Sequence, residues 1–136
     1  MRFLPTLLLT LLGSASAAKK TPEERFQTYH AKALSSAPVK LGDTSYRELT
    51  GTPRDYTVAV LLTAMDARFG CQLCRDFQPE WDLLSRSWTA GDKKGESRLV
   101  YGTLDFADGR DIFMSVWVSR VVRLVLEGKA WLTLKG

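Results

Sequence analysis

The chain has 136 residues, 45% hydrophobic and 25% charged, the make-up of one ordinary globular domain and not of a disordered or fibrous chain. Its 19 Lys and Arg against 15 Asp and Glu leave a net charge of +4 spread without basic runs, so nucleic acid is not indicated as a partner. Two cysteines and one histidine are too few for a disulfide-stapled scaffold or a four-ligand zinc site, and no cofactor is implied.

Met1-Arg2, the apolar run from Phe3 to Leu12 and the small-residue pattern Ala15-Ser16-Ala17 have the layout of a cleavable secretory signal over residues 1–17. The run is shorter than the roughly 20 residues a spanning helix needs. No later segment offers such a stretch, and the mature chain is expected to be soluble. Thr21-Pro22-Glu23-Glu24 reads as a helix start: Thr21 caps, Pro22 takes the first helical position and Glu24 closes a capping box. Phe26, Tyr29, Ala33 and Leu34 follow at helical spacing, with His30 expected on the solvated face and an end near Ser35-Ser36. Val39 to Leu41 suits a short strand, and Asp43 or Thr44 can cap a brief helix reaching Leu49. Tyr56 to Thr63, β-branched and almost continuously apolar, has the character of a strand buried on both faces.

After the cysteines, Leu73, Phe77, Trp81, Leu84 and Trp88 form one stripe of a long helix, expected to pack on the core. Pro79 should kink that helix. Gly91 to Ser97 is polar and loop-like, Leu99 to Phe106 reads as a second buried strand, and Asp108 can cap a helix beginning at Arg110. The alternation of strands and helices predicts an α/β fold with parallel pairing.

Cys71-Gln72-Leu73-Cys74 follows a strand and opens a helix, the setting of a thioredoxin-like redox motif. Two intervening residues let both sulfurs share the first helical turn, where unpaired amides and the positive end of the helix dipole favour a thiolate over a thiol. Cys71 is then the exposed nucleophile and Cys74, one turn further in, the resolving thiol of thiol–disulfide exchange. Arg68 and Arg75 are candidates for added positive charge. A permanently closed, inert disulfide is the competing reading of the same two residues.

Pro53-Arg54-Asp55-Tyr56, the strand end Leu61-Leu62-Thr63-Ala64, Gly70-Cys71-Gln72-Leu73-Cys74, Phe77, Trp88 and Leu104-Asp105-Phe106-Ala107-Asp108-Gly109-Arg110-Asp111-Ile112-Phe113 resemble the thioredoxin-like accessory subunit of the endoplasmic reticulum oligosaccharyltransferase, over residues 22 to 115. The resemblance implies a three-layer α/β/α thioredoxin-like fold over residues 18–115, located in the endoplasmic reticulum lumen. It also implies that Cys71 and Cys74 form transient mixed disulfides with nascent cysteine-containing polypeptides, assisting N-linked glycosylation, while another subunit transfers the sugar. The other oligosaccharyltransferase subunits are partners wherever a longer form carries the family's membrane part.

Past Ser115 the pattern changes, and the fold is expected to be incomplete or altered there. Members of the family present a proline loop to the cysteines, but this chain has no proline after Pro79. Residues 116–136 are expected to be a divergent tail. One reading is a β-hairpin of 121–126 and 130–134 covering the strand edge beside Tyr56–Thr63; the favoured one is sequence unrelated to the family. The alternative functions are a free secretory-pathway thiol–disulfide oxidoreductase and an inactive truncated product.

Overall fold

In the computed structural model, residues 19–116 are described; the expected signal at 1–17 and the hairpin or tail beyond 116 lie outside them. Helix α1 (Pro22–Ser35) starts as its sequence predicts. Thr21 Oγ1 accepts from the Glu24 amide at 3.2 Å, and the Glu24 carboxylate accepts from the Thr21 amide at 2.8 Å. This reciprocal cap satisfies two amides that would otherwise lack partners. Strand β1 (Val39–Leu41) and helix α2 (Asp43–Thr50) follow, then β2 (Thr57–Thr63), a 3-10 turn (Ala67–Phe69), α3 (Gln72–Gly91), β3 (Leu99–Asp105) and α4, helical over residues 110–116.

The three strands form a parallel sheet in the order β1-β3-β2, with Thr57 opposite Leu99 and Thr63 opposite Asp105. Parallel neighbours need crossovers, and the helices supply them on both faces of the sheet. This mixed α/β architecture is compatible with a thioredoxin-like fold, as expected. Alternation along β3 sorts the two faces. Val100 and Leu104 point into a core with Phe26, Tyr29, Val39, Leu41, Leu49, Tyr56 and Ile112. Tyr101 and Thr103 point the other way and meet Trp81 of α3.

Several sequence expectations give way here. Central β3 is mostly buried, but β2 is only half-buried along most of its length and not enclosed on both faces. Among the described residues it has one strand neighbour, which leaves its outer edge open. Leu34 is exposed, since the α1 face that meets the sheet turns through Phe26, Tyr29 and Ala33. His30 is buried, not solvated: its ring stacks on Phe26 at 5.4 Å, and Nε2 lies 3.1 Å from the Asp92 carbonyl. The loop after α3 folds over this side of α1, which periodicity within α1 cannot reveal.

Capping also crosses between elements. Gly42, not Asp43 or Thr44, takes the N-cap position of α2. The Asp43 carboxylate instead accepts from the Ile112 amide at 3.0 Å and so caps α4, the role expected of Asp108. Asp108 contributes its backbone carbonyl to the Asp43 amide at 3.3 Å. One carboxylate thereby locks two helix starts together beside the C-terminal end of the sheet. Helix α3 runs unbroken through Pro79, whose ring removes one backbone donor.

Arg25, which no sequence pattern singled out, is buried on α1. Its guanidinium donates to the carbonyls of Glu48 at 3.0 Å, Gly51 at 2.8 Å and Pro53. A buried cation needs such partners. These bonds fasten α1 to the end of α2 and to the segment that delivers the chain into β2. Arg98 adds a second tie, pairing with Glu23 at 2.7 Å and Asp55 at 2.8 Å while lying 4.2 Å over the Phe26 ring.

Candidate functional site

Parallel α/β sheets gather chemistry at the C-terminal ends of their strands, and both cysteines lie there. From Thr63 the chain leaves β2 and reaches Cys71 through the 3-10 turn. Asp66 opens that turn by accepting from the Arg68 amide at 2.9 Å, and Gly70, at φ 56°, closes it in a left-handed conformation that glycine adopts without strain.

This segment is tied to the end of β3. The Phe106 amide donates to the Thr63 carbonyl at 2.8 Å, and the Met65 amide donates to the Asp105 carboxylate at 2.9 Å. Asp105 uses its other oxygen to accept from the Ala107 amide at 2.9 Å. Phe69 meets Phe106 edge-on at 5.0 Å, and Phe106 in turn meets Phe113 of α4 at 5.3 Å. Asp105 and Phe106 are therefore site residues that the cysteine motif alone did not point to. Their contacts join segments 40 residues apart in sequence.

Cys71 is the N-cap residue of α3, and its Sγ accepts from the Cys74 amide at 3.2 Å. The two cysteines form a disulfide with their Cα atoms 5.3 Å apart. Both are half-buried, so the expected difference in exposure between them does not appear at the level of whole residues. A sulfur at this position faces a helix amide and the positive end of the dipole, the arrangement that stabilises negative charge. Arg68 adds little to it. Its guanidinium is paired with Asp66 at 2.8 Å, and that pairing holds the Asp66 carboxyl below its ordinary range. Arg75 is exposed on the first turn of α3.

The stripe expected to pack on the core does so only at Trp81. Its indole N–H donates to Thr103 Oγ1 at 3.0 Å, and its ring meets Tyr101 edge-on at 5.3 Å. Leu73, Phe77, Leu84 and Trp88 are exposed, Leu73 by 76%. The buried positions of α3 are Ser85 and Thr89, small residues whose hydroxyls donate to the carbonyls of Asp82 and Ser85 on the same helix. Trp88 reaches Tyr101 at 6.3 Å and donates to Ser97 Oγ at 3.2 Å, yet stays 42% exposed. Met65, Phe69, Leu73 and Phe77, all within six residues of a cysteine in sequence, are exposed apolar side chains. Among the described residues no helix is long and apolar enough to cross a membrane, and no group of three His, Cys, Asp or Glu side chains gathers as metal ligands do.

A parallel α/β domain with a cysteine pair capping the helix after its edge strand is compatible with a thioredoxin-like fold. Residues 26–126 match the OST3 / OST6 family, described as a transporter family, and the chain belongs to that family. It is similar to the dolichyl-diphosphooligosaccharide–protein glycosyltransferase subunit MAGT1 of Xenopus laevis, 32% identical over 72 residues that make up 53% of this chain and 22% of the relative. The mouse subunit of the same name is 27% identical over 111 residues, 79% of this chain and 33% of the relative. The chicken one is 24% identical over 122 residues, 83% of this chain and 37% of the relative. The chain thus spans well under half the length of these relatives.

Proposed function

We propose that this chain is a thioredoxin-like redox domain of an oligosaccharyltransferase subunit, working in the endoplasmic reticulum lumen. Its Cys71–Cys74 disulfide would exchange with cysteines of nascent polypeptides, holding them transiently while asparagine acceptors are glycosylated by another subunit. The relatives are named as glycosyltransferase subunits, which supports placement beside the other subunits of that complex.

The observation that carries the redox reading is the position of the pair. Cys71 Sγ sits at the mouth of α3 on the Cys74 amide, beside exposed Leu73 and Phe77. A client thiolate attacking Cys71 Sγ breaks the Cys71–Cys74 bond, forms a mixed disulfide and leaves Cys74 reduced. Attack by Cys74 on Cys71 reverses this and releases the client thiol. An apolar surround suits an unfolded peptide, which exposes apolar side chains.

Cys74→Ser removes the resolving thiol. Under oxidising conditions this variant is expected to accumulate mixed disulfides with cysteine-bearing peptides that vanish on reduction, whereas Cys71→Ser accumulates none. A Cys74→Ser protein that traps no peptide would overturn the exchange reading in favour of an inert disulfide.

A further inference from the structure

Thr63 Oγ1, at the C-terminal end of β2, and Gln78 Oε1, one turn past Cys74 on α3, are buried polar atoms with no hydrogen-bond partner among the described residues. Buried polar groups are normally satisfied, so each one left over calls for an explanation. Thr63 is opposite Asp105 and shares a sheet face with Thr103, the residue that holds Trp81. That face looks at α3. Gln78 lies one turn before Trp81 and one turn after Cys74, and residues three or four apart share a helix face. Its amide nitrogen is committed to Asp82 at 2.8 Å, which turns the carbonyl oxygen to the interior. Asp105, the nearest carboxylate in the strand register, has its oxygens engaged by the Met65 and Ala107 amides.

We infer that Thr63 and Gln78 are the polar lining that receives the Cys74 sulfur when the disulfide opens, a positioning role that rests on the redox reading above. When a client thiolate attacks Cys71, the electron pair of the broken bond stays on Cys74, which departs as a thiolate. The Thr63 hydroxyl is a donor for that thiolate. Once Cys74 takes a proton from solvent, its S–H is a donor for the Gln78 oxygen. The two neutral groups thus serve both protonation states of the resolving cysteine without a buried carboxylate.

Reduced glutathione opening the Cys71–Cys74 disulfide is the test, because Cys74 is the leaving group in that step. Thr63→Val keeps approximate shape and is expected to slow opening by about fivefold to tenfold, the worth of one neutral hydrogen bond at the leaving sulfur, whereas Gln78→Leu, which removes an acceptor for the protonated thiol only, should leave the opening rate unchanged and speed reclosure by Cys74 by a similar factor. Thr63→Ser should restore the rate. A control reads the other sulfur: in a Cys74→Ser background, capture of oxidised glutathione by Cys71 should be unchanged by either substitution. An opening rate unchanged in Thr63→Val, a reclosure rate unchanged in Gln78→Leu, or equal slowing of opening and of capture by Cys71 would overturn the role of the lining alone. A wild-type disulfide that glutathione fails to open would overturn the redox reading, and this inference with it.

Discussion

Replacing Arg25 with Met keeps most of the apolar stem of the side chain and deletes the guanidinium. Three carbonyls, those of Glu48, Gly51 and Pro53, then lose their donor beneath a residue only 6% exposed. A hydrogen bond to a charged group contributes about 1.5–3 kcal/mol, and an orphaned buried acceptor costs about 1–3 kcal/mol. Against this stands the relieved cost of keeping a cation out of water, several kcal/mol for a fully buried ion. The balance is a loss of about 3 kcal/mol. With a urea slope of about 1.5 kcal/mol/M for a domain of this size, the unfolding midpoint should fall by about 2 M. Arg25→Lys should fall between wild type and Met, because one ammonium cannot span all three acceptors. The assay is equilibrium urea unfolding followed by circular dichroism and tryptophan fluorescence together. A shift under about 0.5 M, a quarter of the expected effect, would show that Arg25 does not anchor the α2–β2 connection.

Tyr29 donates its hydroxyl proton to the Glu48 carboxylate at 3.0 Å, with the Ser45 carbonyl 3.2 Å away, and its phenol is pushed above the ordinary range, first by burial and then by Glu48. A group whose folded pKa is raised contributes stability that is complete below its unfolded value and is lost as pH rises through the folded one. Stability should therefore decline above about pH 10, the unfolded tyrosine value, and Tyr29→Phe should flatten that decline in a pH series of unfolding midpoints. Gly95 adopts φ 71°, and a Cβ there would sit 3.0 Å from the Phe26 ring and 3.2 Å from the His30 imidazole. Gly95→Ala should cost about 2 kcal/mol in backbone strain and crowding, lowering the melting temperature by about 10 °C. Replacement of His30 by Ala in the same protein should recover part of that loss, since it removes one of the two crowded rings. Together with the Cys74→Ser trap, these variants separate the fold from the chemistry: Gly95 and Arg25 should change stability and leave peptide capture intact.

Local signals were legible wherever one residue's chemistry settles a local structure. The Thr21–Glu24 capping box, Pro22, the β-branched strands and the cysteine pair opening a helix all depend on neighbours within a turn, and all could be read from residue order. The parallel α/β class followed from the alternation of those elements, and the family resemblance pointed to the family that residues 26–126 match. Burial was another matter. The stripe Leu73-Phe77-Trp81-Leu84-Trp88 has the spacing of a core face, yet only Trp81 meets the sheet closely, because periodicity states that residues share a face and not what lies opposite it. His30 went inside because a loop more than 60 residues away closes over it. Asp43 caps a helix 69 residues downstream and not its own, since a carboxylate binds whichever amide tertiary packing brings to it. Arg25, Asp105, Thr63 and Gln78 acquire their roles the same way. Short-range propensity decides helices, strands and turns, while the partners of a buried polar group are set by segments distant in sequence, and those contacts exist only once the chain has folded.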